Sequence, residues 1–119
     1  LVAAGHTIGG HTATHPSLGQ LGNDEVRTEV HTDKQRLEAQ LSISLTDFAY
    51  PFGQAHNMST TANSVIANAG YRHCYSAQTG FTTDTQPYLR TMVEYQQSPA
   101  SLRRWVDGAY DVLKSASPF

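Results

Sequence analysis

The chain has 119 residues, 39 % of them hydrophobic, with a net charge of −2 and one cysteine; that is enough for a single domain with a small margin of buried core. Basic and acidic residues are mixed along it with no Lys/Arg run, which argues against nucleic acid as a partner, and no apolar stretch is long enough to span a bilayer. Cys74 has no second cysteine to pair with, so an intramolecular disulfide is excluded and the redox compartment is left open.

In chain order, residues 1–4 read as the last turn of a helix stopped by Gly5. The chain opens on "LVAAGH" without an initiator Met, so the protein's start is expected upstream. "HTIGGHT" (6–12) alternates weakly and reads as a short strand opening into a loop, and Pro16 blocks a helix running on from His11 and His15. From Asn23 the spacing of Val26, Val30, Leu37 and Leu41 predicts a helix over 23–41, with Asn23 as its cap, Asp24 and Glu25 in its first turn, and Lys34–Glu38 as an outer-face pair. "DFAYPFG" (47–53) reads as a buried strand ending at a Pro-Gly loop. A second helix over 59–70 is capped by Ser59 and stopped by Gly70, with Ala62, Val65, Ile66 and Ala69 on one face. "YRHCYS" (71–76) predicts a strand with Tyr71, His73 and Tyr75 on one side and Cys74 inward. A loop over 79–87 precedes a strand over 88–95. A last helix over 98–113 has Ser98 as cap, Pro99 as its first residue and a stripe of Leu102, Val106, Ala109 and Leu113; residues 114–119 form a loose tail. The alternation of strands and helices predicts an α/β fold with parallel strands and helices packed outside them, as one domain over 1–113.

His11 and His15 carry the chemical question. In zinc peptidases a histidine pair four apart lies on a helix and has a Glu beside the first His as general base. Thr12 follows His11, and the flanking Gly and Pro disfavour a helix, so that reading fails. A strand end running into a tight turn also brings two imidazoles to one point, where neutral ring nitrogens suit Zn²⁺, with a third protein ligand and an open position still required. Spacing alone leaves this open against an ordinary polar loop. His6 reads as packing at the strand start, His31 as solvated on a helix, His56 as a loop residue and His73 as a core histidine; Trp105 reads as helix packing and Arg103–Arg104 as a solvated edge.

The stretch "GHTIGGHTATHPSL" resembles the second motif of the polysaccharide deacetylases, the NodB homology domain or carbohydrate esterase family 4, in which two histidines bind zinc. Gly5, His6, Ile8, Gly9, His11, Thr12, His15, Pro16 and Leu18 match that pattern, while Thr7 and Gly10 stand where Glu and Asn are usual. "FAYPFG" (48–53) with "VIANAGYRHCYS" (65–76) resembles the strand of the third motif and the helix and strand after it. Pro51 is kept, Ala49 stands at the Arg position and Phe52 at the Tyr position. The first motif of the family, T-F-D-D-G, with the base and a metal-binding aspartate, does not occur in the chain and is expected upstream. No histidine follows His73 to match the late Leu-x-His that supplies a general acid.

The resemblance covers roughly residues 1–95 and implies a partial irregular (β/α) barrel. It implies metal-dependent hydrolysis of N-acetyl groups on an amino-sugar polysaccharide: chitin-like, peptidoglycan or exopolysaccharide. In that scheme His11 and His15 bind a divalent ion, zinc by family habit, and the Phe52 backbone N–H holds the oxyanion. Thr12 supports the ligand loop, and Tyr50 and Pro51 line the substrate groove. The partners implied are an N-acetylated polysaccharide or oligosaccharide, and a missing N-terminal portion or another copy of the chain that completes the barrel. A secreted, periplasmic or cell-envelope location is implied as well. The alternative is a carbohydrate-binding or structural domain that keeps the scaffold without catalysis, which the absent Asp motif, Ala49 and the absent late histidine favour for this chain alone.

Overall fold

A computed structural model describes residues 1–80, 84–93 and 96–106. Helix α1 runs Asn23–Leu41, strand β1 Asp47–Ala49, helix α2 Thr60–Asn68, strand β2 His73–Tyr75 and helix α3 Pro99–Val106, with short 3-10 turns at Leu18–Gln20 and Ala55–Asn57. The two strands pair in parallel with Asp47 opposite His73, Phe48 opposite Cys74 and Ala49 opposite Tyr75. Gly10 bridges in parallel to Phe48 on one side, and Tyr88 to Tyr75 on the other. The parallel positions therefore follow one another in chain order, Gly10, β1, β2, Tyr88, with α1 and α2 as the connections between the first three. This is an α/β arc wound in one direction.

The strands are shorter than the sequence predicts. In the "HTIGGHT" segment Gly10 makes the ladder bonds, donating to Asp47 O at 2.8 Å and accepting from Ala49 N–H at 3.0 Å. The expected strand over 88–95 reduces to Tyr88, whose N–H donates to Cys74 O and whose carbonyl accepts from Ser76 N–H, both at 2.8 Å; residues 89–93 add no strand, and 94–95 lie outside the described residues.

Alternation along the strands sorts the side chains. Phe48, Tyr50 and Cys74 turn inward to join Leu18, Val26, Val30, Leu45, Ala62, Val65, Ile66 and Tyr71 in one core. Asp47, Ala49, His73 and Tyr75 occupy the opposite, more open side. Tyr71, expected on the side of His73 and Tyr75, precedes β2 and is buried. Val26, Val30 and Phe48 are each 0 % exposed, and each contributes about 1.5–3 kcal/mol of apolar burial.

The cap of α1 is Gly22, one residue before the expected Asn23, and no side chain bonds there; Asp24 and Glu25 complement the dipole. Its last turns also differ from expectation. Glu38 pairs with Lys34 at 2.9 Å and accepts the Leu45 N–H at 2.9 Å, so the pair ties the α1–β1 connection instead of lying on a free outer face. The predicted cap of α2 is present, Ser59 Oγ accepting from Ala62 N–H at 3.0 Å, and the chain leaves past Gly70 at φ 99°. In α3, Ser98 Oγ accepts from Ser101 N–H at 3.1 Å. Leu102 of its expected stripe is exposed. Residues 107–113 of that predicted helix and the tail 114–119 lie outside the described residues. Among the described residues no helix is long and apolar enough to cross a membrane.

Candidate active site

His11 follows Gly10 directly, and Phe52 lies three residues past the end of β1, so both sit at the C-terminal ends of parallel strand positions, where open α/β sheets place their ligands. His11 Nδ1 lies 2.7 Å from Ala49 O. A carbonyl only accepts, so Nδ1 is the donor, and the tautomer this bond selects turns Nε2 away from that carbonyl.

The backbone between the histidines turns through the left-handed region twice, at Thr12 (φ 71°) and His15 (φ 63°). Thr12 is buried, and its Oγ1 accepts the His15 N–H at 3.1 Å. Helix α1 holds the same loop from below. Asp33 Oδ2 accepts the His11 N–H at 2.8 Å; Glu29 accepts the Thr14 N–H at 2.9 Å and its hydroxyl at 2.6 Å; the Glu29 carbonyl accepts the Ala13 N–H at 3.2 Å. The imidazoles of His11 and His15 come out side by side, centroids 4.9 Å apart at 64°, both exposed.

The Phe52 ring closes the row, 4.7 Å from the His15 ring and 55 % exposed. Phe52 is the centre of a three-residue turn at φ 63°, with Gly53 N–H donating to Pro51 O at 2.7 Å, a conformation that is rare and strained for a side-chain-bearing residue. Among the described residues no acceptor takes the Phe52 N–H. The loop beyond is folded by Asn57, which donates to Ser17 Oγ at 2.9 Å and accepts the Gln54 N–H at 3.1 Å.

Tyr50 and Pro51, expected to line the groove, are interior residues instead. Tyr50 is 1 % exposed, stands edge-on to Phe48, and donates its hydroxyl to Asn63 Oδ1 at 2.5 Å. The cause is the strand period: Tyr50 is two residues from Phe48 and shares its inward face. The groove beside His11, about 310 Å³, is lined by Thr7, Gly9, Gly10, Asp47, Phe48, Ala49 and Tyr75.

Deeper along the same face, Asp47 is a shared acceptor. Its Oδ1 lies 3.1 Å from His73 Nδ1 and takes the Tyr75 hydroxyl at 3.1 Å, while Oδ2 takes the Thr46 hydroxyl at 2.8 Å. Burial, and then the bond to Asp47, raise the Tyr75 phenol above its ordinary value. His73, read from sequence as a core histidine, is thus a half-exposed partner of Asp47. His6, His31 and His56 are exposed.

The donor set at the site is two neutral-capable imidazoles. Among the described residues no group of three His, Cys, Asp or Glu converges on one point. Two imidazoles are the right donor type for a divalent ion but only part of the set that such an ion needs, so any ion held here would draw its remaining ligands from elsewhere. The sequence reading missed Glu29, Asp33 and Asp47. A signal for the first two exists: they follow the core positions Val26 and Val30 by three residues and so border the buried stripe of α1.

A model of the polysaccharide deacetylase family matches residues 1–74. Among solved structures, a Streptococcus pyogenes deacetylase, PplD, in complex with acetate is similar with a TM-score of 0.70 and 26 % identity, over 79 % of this chain and 42 % of that one. A family 4 carbohydrate esterase from Streptomyces lividans in complex with acetate is similar with a TM-score of 0.56 and 27 % identity, over 62 % of this chain and 36 % of that one. The chain thus spans less than half the length of either. No curated protein matches it.

Proposed function

The chain belongs to the polysaccharide deacetylase family, and from that premise we propose that it contributes to metal-dependent hydrolysis of N-acetyl groups on an amino-sugar polysaccharide. The observation that supports the reading is the close, edge-on placement of the His11 and His15 rings, with His11 Nδ1 bonded to Ala49 O and the Phe52 ring against that of His15. A divalent ion such as Zn²⁺ held by the two imidazoles supplies Lewis-acid polarisation of the amide carbonyl and makes a nucleophile available near neutral pH.

The chain's own residues do the rest. Thr12 and the left-handed turns fix where the rings point. The Phe52 N–H is a preset donor for the oxyanion, and a backbone donor works whatever the side chain, so Phe in place of Tyr leaves it intact. The exposed Phe52 ring and the groove beside His11 form an apolar and polar edge for a sugar. Acetate, the acid that deacetylation releases, is present in both similar structures. A base, a third ligand and a general acid come from a segment or copy that completes an irregular (β/α) barrel around this arc. A site of action outside the cytoplasm, on an extracellular or envelope polymer, follows from such a substrate.

A second reading keeps the scaffold as a sugar-binding domain without catalysis. It is favoured by the two-ligand donor set among the described residues and by Ala49, which offers no side chain to orient a carboxylate. Titration with Zn²⁺ separates the two in part: binding that is lost in both His11→Ala and His15→Ala supports the first, and no binding at these residues removes it. Acetate release from an acetylated chito-oligosaccharide by the complete gene product decides catalysis, and its absence from a zinc-loaded protein selects the second.

A further inference from the structure

We propose that Glu29 and Asp33 of α1 are positioning residues for the histidine pair, setting the loop geometry through which His11 and His15 face one ion. The inference rests on the reading of His11 and His15 as ligands and extends it to a helix that bonds the backbone of the loop between them. Two residues with side chains, Thr12 and His15, lie at positive φ within four positions, and such backbone persists only where the surroundings over-determine it. Thr12 Oγ1 provides one restraint from inside the loop. The others come from one face of α1, a single turn apart: Asp33 Oδ2 on the His11 N–H, both carboxylate oxygens of Glu29 on Thr14, and the Glu29 carbonyl on Ala13 N–H. The acceptors thus grip the first ligand's own backbone and the residue just before the second. Both carboxylates are half-buried at the edge of the helix's core stripe, so α1 is anchored to the core at Val26 and Val30 and transmits that rigidity to the loop.

The test compares Asp33→Ala, Glu29→Ala and Asp33→Asn with the unmodified protein and with His11→Ala. Without metal, the readouts are the nuclear Overhauser contact between the His11 and His15 rings and amide exchange at His11 and Thr14, with exchange at Phe48 reporting whether the core stays folded. With Co²⁺ as probe, the readout is affinity from its visible absorption. Asp33→Ala and Glu29→Ala are expected to lose the ring contact, to exchange faster at His11 and Thr14 with Phe48 still protected, and to bind Co²⁺ about 10–100-fold more weakly, the usual cost of losing an outer-shell partner. Asp33→Asn keeps an acceptor oxygen and is expected to restore most of both readouts. Wild-type ring contact and loop exchange in both alanine variants overturn the proposal. A protein that does not bind Co²⁺ in a His11-dependent way overturns the functional reading instead, and the metal-free readouts still decide the positioning role.

Discussion

A methyl group added at Gly10 would collide with the Tyr71 hydroxyl and lie 3.2 Å from the Phe48 ring, so the glycine beside His11 is set by the core behind it. The Tyr71 Oη is itself buried, with no hydrogen-bond partner among the described residues. An unpartnered buried hydroxyl costs about 1–3 kcal/mol, while inserting a methyl into packed space costs about 1–3 kcal/mol. Tyr71→Phe is therefore expected to raise stability by about 1 kcal/mol and Gly10→Ala to lower it. The double variant should show a favourable coupling of at least about 0.5 kcal/mol, because the phenylalanine has vacated part of the contested space. Urea midpoints of the four proteins measure the cycle, and strict additivity would refute the shared-volume argument. Cys74, 8 % exposed, gives a second residue-level outcome. Burial pushes its thiol up to about 12, against smaller lowering from the Tyr75 backbone bond and Arg90, and burial also raises the Tyr50 and Tyr71 phenols. A raised folded value favours the protonated form, so this contribution is whole below the ordinary thiol value of 9.0 and is lost as pH climbs towards about 12. Stability should therefore be flat with respect to these groups at neutral pH and fall above about pH 9, and a thiol reagent at neutral pH should label Cys74 only as fast as the chain opens.

At the scale of elements, the connection between α1 and β1 depends on Glu38. The hydrogen bond from Lys34, and then that from the Leu45 N–H, hold its carboxyl below the ordinary 4.5. A lowered folded value means the contribution is present above 4.5 and is lost as pH falls through the folded value. Glu38→Gln should thus lower the urea midpoint at neutral pH and make it less sensitive to acid, and equal acid sensitivity in both proteins would refute the link. Ser59→Ala should cost about 1 kcal/mol by removing the α2 cap, read from the same unfolding curves. These helices were legible in the sequence because their determinants are local: the apolar spacing of Val26 and Val30, the acidic first turn, Ser59 at one end of α2 and Gly70 at the other. The strand positions were less so. Whether Gly10 or Tyr88 pairs once or along a run depends on partners far along the chain, and periodicity carries no record of that. The site divides the same way. The histidine spacing is written in ten residues, whereas Asp33 meets His11 across 22 positions and Glu29 meets Thr14 across 15; their spacing from Val26 and Val30 places them beside the core stripe of α1 but does not name the loop they bond. Tyr50 was misplaced because the motif drew attention to its neighbourhood while its own face follows Phe48.

At the scale of the molecule, the arc ends in two single-residue ladder positions, Gly10 and Tyr88, and its open side carries Asp47, His73 and Tyr75 together with the histidine pair. Among the described residues nothing pairs beyond either position, and such a parallel edge is a template for further strands; on the same side no third His, Cys, Asp or Glu joins the histidine pair among the described residues. One association would remedy both deficits, because chain added alongside Gly10 lands next to His11. We therefore expect the 13.0 kDa chain to associate when expressed by itself, with sedimentation velocity showing species heavier than a monomer at micromolar concentration. A lasting contact of this kind has to bury at least about 1,000 Å², so urea midpoints should rise with protein concentration. If a further copy supplies the missing ligand, Zn²⁺ should bind more tightly as the chain is concentrated, with His11→Ala abolishing that dependence while leaving the association itself in place. If a different segment supplies it, co-expression with that segment should replace the self-associated species with a one-to-one complex that releases acetate. A well-behaved monomer that unfolds cooperatively at a concentration-independent midpoint would show that the arc is sufficient as a fold, and the open side would then have to be explained as a binding face for sugar.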